Sequence, residues 1–553
     1  MSVGVITHMS TEQHATYTRR ASVAASGDGL IYARPRRLSR LQLNQPLKYP
    51  SLSSLNGDVL HEIVSYLRGR DALSLSLTTR RVHDFAIHRV ASRLVCRTAF
   101  DLRRIHKYLL EGQPKPAVFL RSLSIMGSTF IDRPWQDDPN WAFPETTYEY
   151  SLAPLVGDIL EASQGLTHLL LEHYAPLARH DSRVGPAVAS MSRLGTLELC
   201  QVDPDSLTVF QTLRSRPRHL RVSTVHTAGQ SEARQVLDFM HDALAAVSSI
   251  KQLHVLDLDV SAINCRPFTV PLEPRPDPIP LPYVHSLSIH WLTQLVDVAA
   301  LFPNLTVFEQ HINSFQLERP IGKPLRRLSA TELRMQDSPT QQVHMLHLRR
   351  YPRDLQSFLR TIGATSPVGL SLHAFVDTSL WLRYWEQLKD TAPRLRFLDV
   401  HCHTWNRTPQ AGWVGRFIES LRGYSLVCIR LILPQPPAPG ADNAKWADED
   451  VLALAELPDR LPQIMPSLRY VAWAAKRGTS EYEWFEDGYD CAYAEYKWYR
   501  VVEDNGARKP VTVSAGEGER VRRYLLNSSL ETITNIDAIA LMETIGGPIT
   551  LEY

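Results

Sequence analysis

The stretch Leu120-Arg121-Ser122-Leu123-Ser124-Ile125 contains the pattern that decides the fold, which is Leu-x-x-Leu-x-Leu or Ile. Successive side chains of a β-strand point to opposite faces, so Leu123 and Ile125 are predicted to enter a core from one short strand. The pattern recurs along the chain, with clean copies roughly 25 to 30 residues apart where they follow closely. The clean copies are Leu166-Leu169-Leu171, Leu194-Leu197-Leu199, Leu253-Leu256-Leu258, Val284-Leu287-Ile289 and Leu395-Leu398-Val400, and the weaker ones are Leu305-Phe308, Leu325-Leu328 and Leu468-Val471.

The segments between these strands, such as 232–247 and 354–362, have helical composition. A repeated strand and helix at this spacing is typical of leucine-rich repeats, although the asparagine or cysteine that usually closes a repeat is mostly absent. We therefore predict an α/β fold, with an irregular leucine-rich-repeat-like solenoid over 93–475 and a parallel sheet on its concave face. The alternative is a general α/β domain whose strands only mimic repeats, but the Gly-rich turns of doubly wound folds are absent.

The polar residues that flank the leucines of each strand are expected to line the concave face. They include both signs of charge, which suits the recognition of a protein better than contact with a phosphate backbone. We predict that this surface binds a target protein. The candidate residues are Glu172, Asp257, Asp259, His290, Glu309, His311, Arg327, Asp399 and His401.

A small helical module precedes the repeats. Leu60, Ile63, Val64 and Leu67 fall at i, i+3, i+4 and i+7, which predicts one apolar face of a helix that begins at the N-cap Asn56. A short second helix over 71–77 and a third one capped by Thr78 or Thr79 are predicted to follow. A unit of about 40 residues rarely buries enough surface to be stable alone. We therefore expect this module to need a partner or the next domain.

Segment 54–81 of this module strongly resembles an F-box. The family pattern is a Leu-Pro start, an acidic helix with Ile or Val and Leu, then Tyr-Leu, Asp-Leu-Leu-x-Leu-Ser and a final arginine. The chain departs from it at Asn56, where the family usually has proline. It matches the pattern at Leu55, Asp58, Val59, Leu60, Glu62, Ile63, Tyr66, Leu67, Asp71, Leu73, Leu75, Ser76 and Arg80.

The resemblance implies a docking function, because F-boxes bind a Skp-type adaptor that links them to a cullin-RING ubiquitin ligase. By this analogy the adaptor-binding residues are Leu55, Leu60, Ile63, Leu67 and Leu73, although some of them could instead pack the helices together. Together with the repeats, the module resembles F-box proteins of the fungal leucine-rich-repeat type. The expected function is the substrate-recognition subunit of an SCF-type E3 ubiquitin ligase, with no catalytic residues and no cofactor. The alternatives are a scaffold that acts outside ubiquitination and, less favoured, a hydrolase or metal enzyme hidden in the α/β part.

Two further segments complete the predicted organisation. Residues 1–50 have seven basic and two acidic residues and no periodicity, so they are predicted to be a disordered basic arm before the F-box at 51–92. Residues 476–553 are predicted to form a C-terminal cap with a β-hairpin, because Asn505-Gly506 is a strong turn signal. The aromatic residues dense in 482–499 fit such a cap, or alternatively an aromatic rim that binds a ligand.

Composition limits the remaining function classes. The chain has 553 residues, 44% hydrophobic residues and a formal net charge of +2, which argue against wholesale disorder and against a strongly basic nucleic-acid binder. It has no apolar run long enough to span a membrane, and residues 1–13 have no apolar region, so we do not expect a secretory signal. Its six cysteines are scattered, and we expect a reduced cytoplasmic or nuclear protein without membrane or nucleic-acid partners. Nucleotide, hydrolase and zinc-protease motifs are absent. His401-Cys402-His403 is interpreted as an ordinary strand end and not as a metal site.

Overall fold

The computed structural model describes residues 52–527 with internal gaps. The predicted basic arm, the aromatic-rich segment up to residue 495 and most of the proline-rich loop 271–282 lie outside the described residues. The gaps are 53–54, 68, 112–115, 132–147, 227–231, 263–278, 291–297, 312–314, 318–319, 322, 331–332, 336–339, 350–353, 376–378, 404–410, 435–446 and 477–495.

Three helices open the described chain, namely α1 (Gly57–Tyr66), α2 (Gly69–Ser76) and α3 (Arg80–Ser92). The Asn56 side chain accepts a hydrogen bond from the Asp58 backbone N–H at 3.4 Å, and Thr79 accepts one from Val82 at 3.2 Å. Both caps satisfy backbone donors that have no partner inside a helix, so α1 and α3 begin where the sequence predicts.

The remaining helices alternate with the strands along the chain. They are α4 (Ala99–Glu111), α5 (Ala153–Ala162), α6 (Tyr174–His180), α7 (Val184–Ser190), α8 (Thr208–Thr212), α9 (Glu232–Val247), α10 (Val298–Leu301), α11 (Leu355–Thr365), α12 (Ser379–Thr391), α13 (Trp413–Ser420), α14 (Asp448–Ala455), α15 (Leu457–Ile464) and α16 (Ala515–Asn527). Short 3-10 turns lie at Pro116–Phe119, Gly127–Phe130 and Asp205–Leu207.

The strands form one long sheet and one small one. They are β1 (Arg93–Cys96), β2 (Ser122–Ile125), β3 (His168–Leu171), β4 (Thr196–Leu199), β5 (His219–His226), β6 (Val255–Ala262), β7 (Ser286–His290), β8 (Val307–Gln310), β9 (Phe315–Leu317), β10 (Leu325–Ala330), β11 (Leu333–Met335), β12 (Val343–Leu348), β13 (Gly369–Phe375), β14 (Phe397–His403), β15 (Cys428–Pro434), β16 (Tyr470–Lys476), β17 (Lys497–Asp504) and β18 (Ala507–Val513). Strands β9 and β11 pair only with each other in the two-stranded sheet.

The long sheet has 16 strands in the order in which the chain makes them. Its described pairs are parallel from β1 to β16, whereas β16–β17 and β17–β18 are antiparallel. The sheet is not closed, since β1 and β18 lie at its two ends. The fold is therefore mixed α/β with a long, mostly parallel, open sheet.

One face of the sheet packs on the helices and is continuously apolar. Side chains of β2, β3 and β4 alternate between half-buried and buried, as the Leu-x-Leu pattern predicts. The second leucine position of the pattern lies in register on successive strands, and each member of this row is fully buried. The row consists of Leu123, Leu169, Leu197, Leu220, Leu256, Leu287, Phe308, Leu328, Leu346, Leu370, Leu398, Ile429 and Val471.

We call the opposite face of the sheet the polar face and define it by Glu198, Arg221, Asp257 and Glu309. These four residues lie in one cross-strand row with Ser288. These residues alternate with the leucines, so their side chains must point away from the helices. The sequence prediction of a polar surface on this side of the sheet therefore agrees with the register.

The far end of this face is covered and contains an apolar cluster. Phe397, Cys428, Tyr470 and Trp498 form a second buried cluster with Val521 and Leu525 of α16. His344 donates from Nε2 to the Leu525 carbonyl oxygen at 3.0 Å, which fixes α16 against β12. The β17–β18 hairpin reverses the chain at Asn505 and Gly506, both with positive φ, and thereby brings α16 back over the sheet.

Candidate functional site

The three-helix module leaves apolar side chains exposed. Of the residues that the F-box resemblance assigned to an adaptor, Leu73 is 46% exposed, and Leu55, Ile63 and Leu67 are partly exposed. Leu60 is 0% exposed and packs inside the module, so this side chain presents no surface to a partner. A unit of this size needs some leucines for its own core, which it builds from Leu60, Val64, Ala72, Val82 and Ala86.

Three further exposed apolar residues on the module were not assigned from the sequence. Tyr66 and Leu77 are 77% and 78% exposed, and Val59 is also exposed. Val59 and Tyr66 lie on α1, and Leu77 follows α2 directly, four residues after Leu73. Leu73 and Leu77 are separated by about one helical turn, so these two exposed apolar side chains are candidates for one binding surface.

The module joins the sheet without a linker. Helix α3 ends at Ser92 and β1 begins at Arg93. The Arg121 backbone N–H donates to the Ser92 carbonyl at 2.9 Å, and the rings of His88 and Phe119 lie 3.8 Å apart. The orientation of the module relative to the first strands is therefore set by direct contacts.

On the polar face, the predicted residues Asp257 and Asp259 surround one arginine that the sequence analysis did not select. Arg221 lies 3.5 Å from Asp257, 3.7 Å from Asp259 and 3.9 Å from Glu198, measured between guanidinium nitrogens and carboxylate oxygens. His290 Nε2 lies 3.5 Å from Asp257 Oδ1. The structure thus brings Asp257, Asp259 and His290 together around Arg221.

Glu309, His311 and Arg327 form the neighbouring group. Glu309 pairs with Arg327 at 3.3 Å and with Arg349 at 3.6 Å. The His311 ring stacks on His290 with centroids 3.8 Å apart and accepts a hydrogen bond from Arg349. Burial, together with the neighbouring His290 and Arg349, lowers the pKa of His311 to about 2, so this ring is neutral. Glu309 thus pairs with two guanidinium groups, which leaves this group with a net positive charge.

Asp399 and His401 do not lie on an open surface, in contrast to the sequence prediction. Arg430 donates to Asp399 from Nε at 2.8 Å and from Nη2 at 2.6 Å, and both side chains are 5% exposed. His401 Nε2 lies 3.6 Å from Asp399 Oδ1, and the Arg430 guanidinium lies over the Tyr496 ring at 4.7 Å. Burial alone would raise the pKa of the Asp399 carboxyl, but Arg430 and His401 hold it well below its usual range. This pair is an internal, structural one.

Glu172 also has a local partner. It follows β3 directly and accepts a hydrogen bond from the Gly127 backbone N–H at 2.5 Å. Its neighbour His173 is buried, shares a 2.6 Å hydrogen bond with the Tyr150 hydroxyl, and has its pKa lowered to about 4 by burial. Glu172 therefore holds the β2 and β3 ends together, at one side of the polar face.

These positions define a surface of paired charges that extends over β4–β10. The partners missed from the sequence are Glu198, Arg221 and Arg349 here, and Arg430 in the buried pair. Glu198 stands between Leu197 and Leu199, so the alternation rule used for Asp257 was sufficient to find it. Mixed, partly exposed charges of this kind provide specificity in protein recognition more than raw affinity.

Neither metal binding nor membrane crossing finds support in the described part of the chain. Across residues 52–527 and outside the gaps, no three His, Cys, Asp or Glu side chains are grouped to hold a metal ion. Cys402 belongs to the core on the helix side, whereas its neighbour His401 faces Asp399. The described helices also include none that is both long and apolar enough to cross a membrane.

Comparison with known proteins gives no assignment. The chain matches no family model and shows no significant match to any curated protein.

Proposed function

We propose that this protein is a non-catalytic substrate receptor of an SCF-type ubiquitin ligase. In this proposal residues 51–92 are an F-box that binds a Skp-type adaptor, and the following sheet is a leucine-rich-repeat-like solenoid that binds a target protein. The receptor would act by proximity, since a tethered target meets the ubiquitin-conjugating enzyme at a raised effective concentration.

The observation that supports the adaptor part best is the exposed apolar surface of the three-helix module. Tyr66, Leu73 and Leu77 project from a unit that has already built a core from other residues. Fully burying an exposed leucine side chain against a partner contributes up to roughly 1.5–3 kcal/mol. This surface is therefore available for helix-in-groove packing on an adaptor.

The support for the target part is the polar face between β4 and β10. Arg327 is 43% exposed and Arg221 is 36% exposed, so both can contact a partner while they keep their carboxylate neighbours. The buried Asp399–Arg430 pair and the cluster under α16 exclude the far end of this face from such contact. We propose that the target binds over β4–β10, on what would be the concave side of the solenoid.

The experiment is a binding assay of the full chain with a purified Skp-type adaptor. The test variant is Leu73→Asp with Leu77→Asp, because both side chains are exposed and their replacement leaves the module's core intact. We expect binding to weaken by roughly 100-fold or more, since each lost apolar anchor typically costs about 2 kcal/mol. The matched control is Phe100→Asp, an exposed apolar residue on α4 outside the module, which should bind like the wild type.

Two results would decide against the proposal. Lack of adaptor binding by the intact chain would exclude an F-box function, and equal loss in the Phe100 control would show that the apolar residues act non-specifically. Co-purification of a cullin with ubiquitin transfer to a bound protein would then separate a ligase receptor from a scaffold that only binds the adaptor.

A further inference from the structure

A column of arginines lies at the amino ends of the parallel strands. Arg121, Arg218, Arg326, Arg396 and Arg469 occupy the equivalent position in five repeats and are named here the basic edge. Backbone hydrogen bonds show that these positions are equivalent. The carbonyl oxygen of the residue at this position accepts a hydrogen bond from the backbone N–H of the residue at the same position on the next strand. The distance is 2.8 Å from Arg121 O to Thr167 N, 2.8 Å from Arg218 O to His254 N and 2.7 Å from Arg396 O to Val427 N.

The segments that lead into the parallel strands lack acidic residues. The four residues that precede each parallel strand of the long sheet contain no aspartate or glutamate, although the chain has 58 of them among 553 residues. His254 and His285 occupy the same position in two further repeats and are exposed. The charged residues of these segments are therefore all basic, while the chain as a whole is almost neutral.

The arginines of the edge differ from those of the polar face in their partners. Arg221 and Arg430 pair with carboxylates, which neutralise them. Arg121 donates from Nη1 to the carbonyls of Val118 at 3.0 Å and Gly165 at 3.3 Å, and Arg396 donates to Pro393 at 3.0 Å. Carbonyl oxygens hold a guanidinium group in place but do not neutralise its positive charge. Within the described residues no edge arginine forms an ion pair.

The column of arginines is also long. Neighbouring strands lie about 4.8 Å apart, so the nine strand steps from Arg218 to Arg469 span roughly 40 Å. Like charges arranged in this way repel one another weakly in the free protein, and an extended anion that follows the edge relieves the repulsion.

We propose that the basic edge binds an acidic polypeptide segment. Charge complementarity selects an anion, and the side chains of the edge favour a polypeptide over a nucleic acid. Single-stranded nucleic acids need aromatic side chains on which their bases stack. Tyr283 is the exposed aromatic residue among the described residues of these four-residue segments. The inference goes beyond the proposed receptor function, because its assay requires neither the adaptor nor a cullin.

The test measures the anisotropy of a fluorescein-labelled 15-residue polyglutamate peptide with the full chain, at low and at physiological salt. The variant R218Q/R326Q/R396Q/R469Q should lose affinity about tenfold or more, since each exposed charge pair contributes about 0.2–1 kcal/mol. The matched control R103Q/R104Q/R383Q/R416Q removes the same charge from exposed helical positions and should bind like the wild type. Should the first variant fail to fold, R218Q/R326Q and R396Q/R469Q are to be measured separately, with partial loss expected in each.

Three results would overturn the inference. They are the absence of peptide binding at low salt, an equal loss of affinity in the control variant, and tighter binding of a 15-nucleotide oligo-dT than of the peptide under the same conditions. The last result would assign the edge to a nucleic acid. A lysine version of the four edge arginines retains the charge and is expected to keep the peptide affinity within a few-fold of the wild type.

Discussion

Replacing Asp399 by asparagine is expected to destabilise the C-terminal half of the sheet strongly. Asp399 on β14 and Arg430 on β15 are register partners, and their two hydrogen bonds of 2.8 and 2.6 Å are both buried. Asparagine has nearly the same shape, but it has no charge and offers one acceptor oxygen instead of two. Its amide group would face a guanidinium N–H, so one of the two bonds is lost and Arg430 stays buried without a counter-charge.

The magnitude follows from this geometry. Two unit charges about 4 Å apart attract each other by about 4 kcal/mol at an effective dielectric constant of about 20. Removing one partner of a buried pair typically costs about 3–5 kcal/mol, because the remaining charge keeps its desolvation penalty. The pKa of the Asp399 carboxyl lies well below its usual range in the folded protein. Its stabilising effect should therefore be complete above the unfolded value of about 4 and be lost as the pH falls through the lowered folded value.

The measurement is urea denaturation of the wild type and the variant, followed by far-UV circular dichroism. The control is Glu419→Gln, which removes the exposed pair between Glu419 and Arg422 and should cost less than about 1 kcal/mol. The double variant Asp399→Asn with Arg430→Met should regain most of the loss, since it leaves no unpaired buried charge. A loss for Asp399→Asn as small as that of the control would refute the reasoning.

Three further outcomes are expected. A Cβ on Gly518 would clash with the Trp498 ring, so Gly518→Ala should displace α16, cost roughly 1–3 kcal/mol and expose 515–527 to limited proteolysis; unchanged cleavage would contradict this packing. Burial raises the pKa of the Cys402 and Cys428 thiols, so both should resist iodoacetamide in the native protein and react in urea, as peptide mass spectrometry can determine. The pKa of His311 is lowered to about 2 in the folded protein, whereas in the unfolded chain this imidazole binds a proton near pH 6.5. Stability should therefore fall as the pH drops below about 6.5, and His311→Gln should flatten this part of the stability profile.

Many of the strands were predictable because each places a leucine, or a similar apolar residue, at the same buried position of the sheet. Leu123, Leu256 and Leu398 belong to copies found in the sequence, and all three lie in the same buried row. Even the weak copy at Leu305-Phe308 falls into register, because Phe308 fills the leucine position. β15 was harder to find, since its residues Cys428–Leu433 are buried on both faces and show no alternation.

The sequence predicts which residues point to the polar face, but it does not predict their partners, because these depend on the register between strands. Alternation alone says that Asp399 and Asp257 point to the same side, but it does not say which residue lies opposite each of them. Arg430 neutralises Asp399 from the next strand, 31 residues further along the chain. Nor does any local pattern indicate that α16 returns over the sheet, because that position depends on the preceding hairpin. The nearly complete burial of Asp399 and the partial exposure of Asp257 therefore follow from long-range contacts.

The strict strand order has a consequence for how the protein is made. Because each strand of the long sheet pairs with the strand synthesised just before it, a chain emerging from the ribosome can add repeats one at a time. Such local pairing keeps the contact order low and gives a growing chain few opportunities for wrong partners. The hairpin and α16 emerge after all the parallel strands, and they supply Trp498, Val521 and Leu525, which bury Phe397 and Tyr470. A chain truncated before α16 would expose these apolar side chains at the far end of the sheet, so its solubility should depend on residues 515–527.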